Sequence, residues 1–596
     1  MGENFAFSNR YSRQYGLVHQ GAVENLNILI AGDNEILPYL LLNLAFCGVG
    51  SMQGGCYLMN ISSEVTRRHI TNQFLLRPDD EGTPLVDALS ARLKFFAPHF
   101  DLKEWPAGAE KRVVPDLFII LSSPEGKRDF PEFPYYCRLY GQLGPSSLFI
   151  GHEPIRIGSF VPNIFSASLA SLAGAILAQD VLRLTNSLRS VDIVDQKILV
   201  SFRLKSDEIG KYLAIPETER GEHWHGIAAR LTLGGEELSI SQVSATENMD
   251  EGLFQVQIPT ETILSRLILD SVEIIEEPLE KRGGILPPLF LSLFGDDRIE
   301  GSDLVSEAKD IPESLSELKA AIVGIGGLGT WICGLLAATP ARKCELIIID
   351  SDAAIEEHNL NRQILYSQSD IGKPKVFAAL AAIKEINPAA KVHIYQIELA
   401  DEILKYLKDG LSEKYHPPKK PKIFGDNAGE PLDVEQLIKK NEEMERRKKM
   451  LAGDLNSTQI YLSCLDNMRS RWILNCASWL TGRTFINGGV KGLGGLVDYI
   501  EKNEGDASLI TRYGDNLKTD TGTVKCGGAI PIPAIVTTNA IIASMQSLLA
   551  VGRAMGRRPR HANYFLFDGK ERIYWEHLFK ENVELSDPLG INEIIG

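Results

Sequence analysis

The turn Gly324-Ile325-Gly326-Gly327-Leu328-Gly329 constrains the fold of this chain more than any other feature. It ends a short apolar run, KAAIVG from Lys319 to Gly324, and opens the helical pattern LGTWICGLLAA. A second apolar run, ELIIID from Glu345 to Asp350, follows. Strand, glycine turn, helix and strand in that order predict a βαβ unit of a parallel sheet. Glycines let a backbone approach phosphate closely, and the helix start offers free N–H groups and a positive dipole end. Gly324, Gly326, Gly327 and Gly329 are therefore candidate nucleotide-binding residues. A dinucleotide dehydrogenase would carry the same turn. Asp350 and Asp352, at the end of the second strand, fit a ribose in either case.

The residues that follow separate the two readings. Asn359-Leu360-Asn361-Arg362-Gln363 comes first, then Asp370-Ile371-Gly372-Lys373-Pro374-Lys375, and later Ser463-Cys464-Leu465-Asp466-Asn467-Met468. Hydride transfer needs none of these. Adenylyl transfer needs cations for the triphosphate, a polar group to orient it and a carboxylate for Mg²⁺. Arg362 or Lys375 alone would pass for a surface cation; in this order behind a glycine turn they are specific. Together the three motifs resemble the ThiF and ubiquitin-activating-enzyme superfamily over most of the second half. The resemblance implies that Arg362 and Lys375 bind the triphosphate of ATP beside Asn359, and that Asp466 holds Mg²⁺. Nine positions separate Asp350 from Asn359, one more than the family's usual spacing, so Asp350 and Asp352 both stand as ribose ligands, Asp350 favoured by its place at the strand end.

The first half begins with Arg10-Tyr11-Ser12-Arg13-Gln14, similar to the family's R-Y-x-R-Q element, and continues with a strand at Leu26–Ala31 and a helix through Leu40–Phe46. Its turn is Ala31-Gly32-Asp33-Asn34-Glu35, which puts two carboxylates where phosphate would need neutral backbone. Asn72 stands in the arginine position, Leu85 in the lysine position, and Ser122-Ser123-Pro124-Glu125 replaces the run that carries the metal carboxylate. The second half lacks an R-Q element; Phe294-Gly295-Asp296-Asp297 stands upstream of it. Each half keeps what the other has lost. The resemblance implies that Arg13 reaches across to the other domain's ATP as an arginine finger.

The expected fold class is α/β: two ThiF-like doubly wound adenylation domains, the first (1–190) degenerate and the second (311–596) active, joined by a β-rich segment (191–310). The second contains a charged insertion, 401–456, with the run KKNEEMERRKKM, read as a solvated helix. It also contains a crossover loop, 500–530. There Cys526 follows Lys525 and precedes a long helical pattern, two influences that favour thiolate. The resemblance implies that Cys526 accepts the acyl group as a thioester. A cysteine packed at a helix start is the alternative.

None of the eight cysteines forms a C-x-x-C pair, and His223-Trp224-His225 has no third ligand, so no zinc is expected. A net charge of −16 repels phosphate backbones and disfavours a nucleic-acid partner. No apolar signal core or membrane-length apolar run stands out, and a reducing cytoplasm is the expected compartment. The expected partner is a ubiquitin-like protein with a C-terminal glycine, with an E2-like conjugating enzyme as a further candidate. The compact plan most resembles bacterial activating enzymes of ubiquitin-like conjugation operons implicated in antiviral defence. Sulfur-carrier activation without an enzyme thioester, a non-catalytic nucleotide-binding scaffold and a dehydrogenase are the rival readings.

Overall fold

The computed structural model describes residues 9–580 except 12, 15, 107–113, 122–133, 135–136, 158–161, 189–196, 217–218, 220–244, 249–252, 260–271, 276–283, 308–310, 413–433, 515–516, 518–533 and 560. In the first half, β1 (Asn27–Ala31) leads into α1 (Leu37–Cys47), then β2 (Gly55–Met59), β3 (Leu102–Glu104), β4 (Leu117–Ile120), β5 (Arg138–Leu143), β6 (Leu148–Gly151) and α2 (Ser166–Leu184). Strands β7 (Lys197–Leu204), β8 (Ala245–Asn248), β9 (Leu253–Pro259) and β10 (Val272–Ile275) form a separate antiparallel sheet in the order β10-β7-β9-β8. The chain then returns to the first sheet. Its strand β11 (Leu289–Leu291) pairs with β6, giving the order β11-β6-β5-β4-β1-β2-β3, and a hairpin of β12 (Asp297–Glu300) and β13 (Asp303–Ser306) follows.

The second half repeats the plan. In chain order it has β14 (Leu318–Val323), α3 (Gly327–Ala338), β15 (Cys344–Ile349), α4 (Lys375–Ile386), β16 (Lys391–Tyr395), α5 (Glu402–Ser412), α6 (Val434–Asn456) and β17 (Ile460–Ser463). After these come α7 (Met468–Thr481), β18 (Thr484–Lys491), β19 (Gly494–Ile500), α8 (Val536–Ala554), β20 (Tyr564–Asp568) and β21 (Ile573–His577). The sheet order is β16-β15-β14-β17-β18-β19-β20-β21, parallel as far as β18 and antiparallel beyond it. The same switch from parallel to antiparallel occurs in the first sheet between β5 and β6.

Alternation along β14 assigns its two faces. Ala320 and Ile322 join the core shared with α3 and α8, whereas Ala321 and Val323 join a second core shared with α5 and α7. The shared core does not stop at the halves: Leu40, Ile176, Leu335 and Ile541 belong to one continuous buried cluster. Helices α1 and α2 pack there against α3 and α8. Small residues bring them close. Ser544 Oγ lies 2.8 Å from Ser171 Oγ, and a methyl at Gly174 would lie 2.7 Å from Leu40 N. By length and composition α2 could cross a membrane, a run the sequence pattern did not single out; 94% of its apolar window is buried within the protein. In the charged insertion, α6 carries the expected run, but its last turns are not solvated: Leu451, Ala452 and Leu455 are buried against α5 and its neighbours.

A candidate nucleotide site built by both halves

Strands β14, β15 and β17 are parallel neighbours, and their C-terminal ends carry Gly324, Asp350 and Asp466. Strand order reverses at β14, the switch point where open α/β sheets leave a crevice. The glycines divide into two kinds. Gly324 has φ +88°, and a methyl there would lie 2.6 Å from the Cys464 carbonyl oxygen; one at Gly329 would lie 1.9 Å from the Gly324 oxygen. These two are required by the fold. At Gly326 the nearest atom to such a methyl is Gln363 Nε2 at 3.9 Å, so this part of the turn faces open space. Gly326 caps α3 without a side-chain bond, leaving the helix start able to donate to an anion. Gly327 faces Asn539 of α8, whose Oδ1 would lie 2.3 Å from an added methyl, and Tyr366 donates to the Ile325 carbonyl at 2.9 Å.

Asp350 braces the turn. Its Oδ2 accepts from Ile325 N at 2.5 Å and its Oδ1 from Asp352 N at 2.7 Å. Burial raises its pKa, opposed by the charge of Lys375. Asp352 is exposed and forms an ion pair with Lys375 Nζ. Asn359 is buried and accepts from Glu356 N at 3.2 Å, closing the short turn before Arg362. Arg362 Nη1 donates to the His358 carbonyl at 2.8 Å and to Asn361 Oδ1 at 2.9 Å. Asp466 is exposed in the turn between β17 and α7. Beside it the half-buried Arg471 guanidinium donates to the Leu465 carbonyl and, at 3.2 Å, to Asn487 Oδ1. Asn467 caps α7 by accepting from Ser470 N at 2.7 Å.

Arg13 reaches this cluster from the first half. It is buried, and its Nη2 lies 3.3 Å from His358 Nε2. His358 is pushed down to about 3 by burial and then by Arg13, Arg362 and Lys375, so the three cations surround one imidazole. Cys526 lies outside the described residues, as do Lys525 and the His223–His225 pair. The downstream flank of the cysteine segment is described. Ala534 N donates to the Arg13 carbonyl at 2.8 Å, and the Ala534 carbonyl accepts from Asn361 Nδ2 at 3.4 Å. Burial raises the thiols of Cys47, Cys56, Cys333, Cys344 and Cys464, which keeps these five protonated.

The matching turn of the first half is closed to an anion. Asn34 Oδ1 accepts from Ile36 N at 3.0 Å, Leu37 N is bonded to the Asn34 carbonyl, and Pro38 in the first turn of α1 has no N–H. Asp33 Oδ2 accepts from Ser62 N at 2.7 Å and lies 3.2 Å from His69 Nε2. Burial would raise this carboxyl, but those two partners hold it well below the usual carboxylate range. The cavity left there measures about 20 Å³, room for a water. Sequence reasoning missed His358, Arg471, Tyr366 and Asn539. Tyr366 and Asn539 reach the turn only through folding; His358 lay just ahead of the Asn359–Gln363 motif without a visible role.

The ThiF family profile matches residues 302–413. The second half is similar to the ThiF family over that stretch. That matched stretch holds the glycine turn, Asp350, Asp352, Asn359, Arg362 and Lys375. A sulfur carrier protein adenylyltransferase of Thermus thermophilus is 34% identical over 94 residues, 15% of this chain and 34% of that protein. The sulfur carrier protein ThiS adenylyltransferase of Escherichia coli is 23% identical over 263 residues, 44% of this chain and 82% of that one. The catalytic subunit of a NEDD8-activating enzyme E1 from Caenorhabditis elegans is 33% identical over 90 residues, 15% of this chain and 20% of that one. The chain thus spans about a third of the Thermus relative's length. Among solved structures, E. coli MccB with AMPCPP and MccA aligns at a TM-score of 0.32 and 16% identity, over 46% of this chain and 67% of that one.

Proposed function

We propose that the chain is an ATP-dependent activating enzyme that adenylates the C-terminal carboxylate of a ubiquitin-like protein and then takes the acyl group onto Cys526. The observation that carries this is the division of labour between the halves: Arg13 of the first half lies against His358 between the cations of the second, while the first half's own turn is closed. In this reading the open face at Gly326 and the start of α3 receive phosphate oxygens, and Arg362, Lys375 and Arg13 take the triphosphate charge. Asp352 releases Lys375 as phosphate arrives, and Asp350 accepts from the ribose. Among the described residues no group of three His, Cys, Asp or Glu is placed to hold a metal. The single exposed carboxylate of Asp466 suits a Mg²⁺ that arrives mostly liganded by ATP and water, where it neutralises phosphate charge.

The partner's carboxylate oxygen attacks the α-phosphorus; a new O–P bond forms, the α–β bridging bond breaks and pyrophosphate leaves. The Cys526 thiolate, having lost its proton, then attacks the acyl carbon. A C–S bond forms and AMP leaves with the oxygen of the broken acyl–O bond. Ala534 stands eight positions beyond Cys526, an extended reach of about 25 Å from a point held by Arg13 and Asn361.

The test is a gel-shift assay with Mg·ATP and candidate glycine-terminated ubiquitin-like proteins, comparing wild type with Cys526→Ala. A thiol-labile adduct lost in the variant supports the full reading. Pyrophosphate exchange with no adduct would leave adenylation without a thioester, and relatives named as sulfur-carrier adenylyltransferases make a sulfur carrier the next partner to try. No exchange with any carrier would count against both.

A further inference from the structure

The contact between Arg13 and His358 fixes a tautomer. A guanidinium carries only N–H donors, so His358 Nε2, 3.3 Å from Arg13 Nη2, must accept. The proton of a neutral ring then sits on Nδ1, which lies 3.1 Å from Glu356 Oε2, a carboxylate that can receive it. Glu356, His358 and Arg13 form a single chain, carboxylate to imidazole to guanidinium. The other charged groups facing the ring are Arg362 and Lys375, both cationic, and with burial they keep the ring neutral near pH 7. His358 also holds Arg362 through its backbone carbonyl, at 2.8 Å.

We infer that His358 is a positioning residue: its neutral imidazole, oriented by Glu356, holds Arg13 of the first half at the phosphate end of the second half's nucleotide site. The inference rests on the nucleotide reading proposed above. Arg13, Arg362 and Lys375 repel one another in a partly desolvated space before any nucleotide arrives. A carboxylate at position 358 would hold Arg13 more firmly, but it would cancel the charge the triphosphate needs. An uncharged acceptor holds the guanidinium and leaves its charge intact. The electrostatics of the cluster thereby ask for an uncharged acceptor at this position.

The experiment measures calorimetric affinities of the full-length chain for Mg·ATP and for AMP. The variants are His358→Ala, His358→Gln, Arg13→Ala and the double variant H358A/R13A. AMP lacks the β- and γ-phosphates, so it reports the rest of the site. Expected are an about ten- to hundredfold weaker Mg·ATP affinity in H358A, the worth of one hydrogen bond to a charged group, and AMP affinity unchanged. Gln, whose amide oxygen can stand near the position of Nε2, should restore binding, and the double variant should bind no more weakly than R13A. An unchanged ATP-to-AMP ratio in H358A, or losses that add in the double variant, would overturn the role. If thermal unfolding shows that H358A does not fold, H358Q is compared with the shorter H358N; equal Mg·ATP affinities would overturn it. A wild type that fails to bind Mg·ATP removes the nucleotide reading and this inference with it.

Discussion

An alanine methyl at Gly329 would lie 1.9 Å from the Gly324 carbonyl oxygen, whereas at Gly326 its nearest neighbour would be a side-chain nitrogen 3.9 Å away. Two glycines of one turn therefore answer to different constraints, and their variants should separate. Gly329→Ala should lower the unfolding temperature by several degrees because backbone must move. Gly326→Ala should unfold like wild type and lose Mg·ATP affinity about tenfold or more, because its methyl enters the space left for phosphate; differential scanning fluorimetry with nucleotide titration reads both. His358 makes a pH prediction at the same scale. Its ordinary pKa of 6.5 falls to about 3 in the folded protein. Above 6.5 the ring is neutral in both states and has no effect. As pH falls from 6.5 towards 3, the unfolded chain takes up a proton that the folded chain refuses, and stability is lost across that window. The urea midpoint of wild type should therefore fall faster than that of His358→Gln as pH is lowered through this window. Parallel curves would show that the ring is not held neutral.

At the scale of elements, the starts of α1 and α3 occupy matching places in the two sheets but differ in their free donors. Asn34 and Pro38 leave α1 little to offer an anion, while α3 begins on uncapped glycines. One nucleotide per chain should follow: calorimetry should give a stoichiometry near one, and Arg362→Ala should remove most of that binding while no second site emerges. This asymmetry was legible in the sequence, because it is written in Asp33 and in the missing cations at positions 72 and 85. The parallel strands were legible for a related reason. A strand buried on both faces is a continuous apolar run, as Leu346, Ile347, Ile348 and Ile349 of β15 are. The antiparallel strands β20 and β21 were not, since exposed Ile573 and Trp575 share a strand with polar neighbours and spoil the alternation. Helix α2 escaped because it is buried on all sides: Ser, Ala and Gly in its interior leave no 3.6-residue stripe. Of the site, the motif residues Arg362, Lys375 and Asp466 could be read linearly. Arg471 and Asn539 could not, since their importance comes from contacts across the fold.

The whole molecule explains why a closed site is kept. The first half supplies Arg13 beside His358 and one wall of a core common to both halves. Ionic contacts join the halves as well. Asp180 on α2 is fully buried, and its carboxylate oxygens each lie 3.0 Å from Arg572 Nε beside Arg183 of the same helix. Arg183 and Arg572 also donate to the carbonyls of Gly569 and Pro287, so a turn between β20 and β21 is clamped onto the first half. Removing one member of such a cluster strands the others in a dry space, which costs about 3–5 kcal/mol in comparable buried pairs. Two consequences can be measured together. Wild type should unfold in one calorimetric transition, because a core and a buried ion cluster that span both halves couple their stabilities. Asp180→Ala should lower that transition markedly, and Mg·ATP binding should fall with it when temperature approaches the new midpoint, since Arg13 reaches the site only while the halves remain packed. Two separate transitions in wild type, or an Asp180→Ala variant as stable as the parent, would mean that the halves are held together by less than this interface indicates.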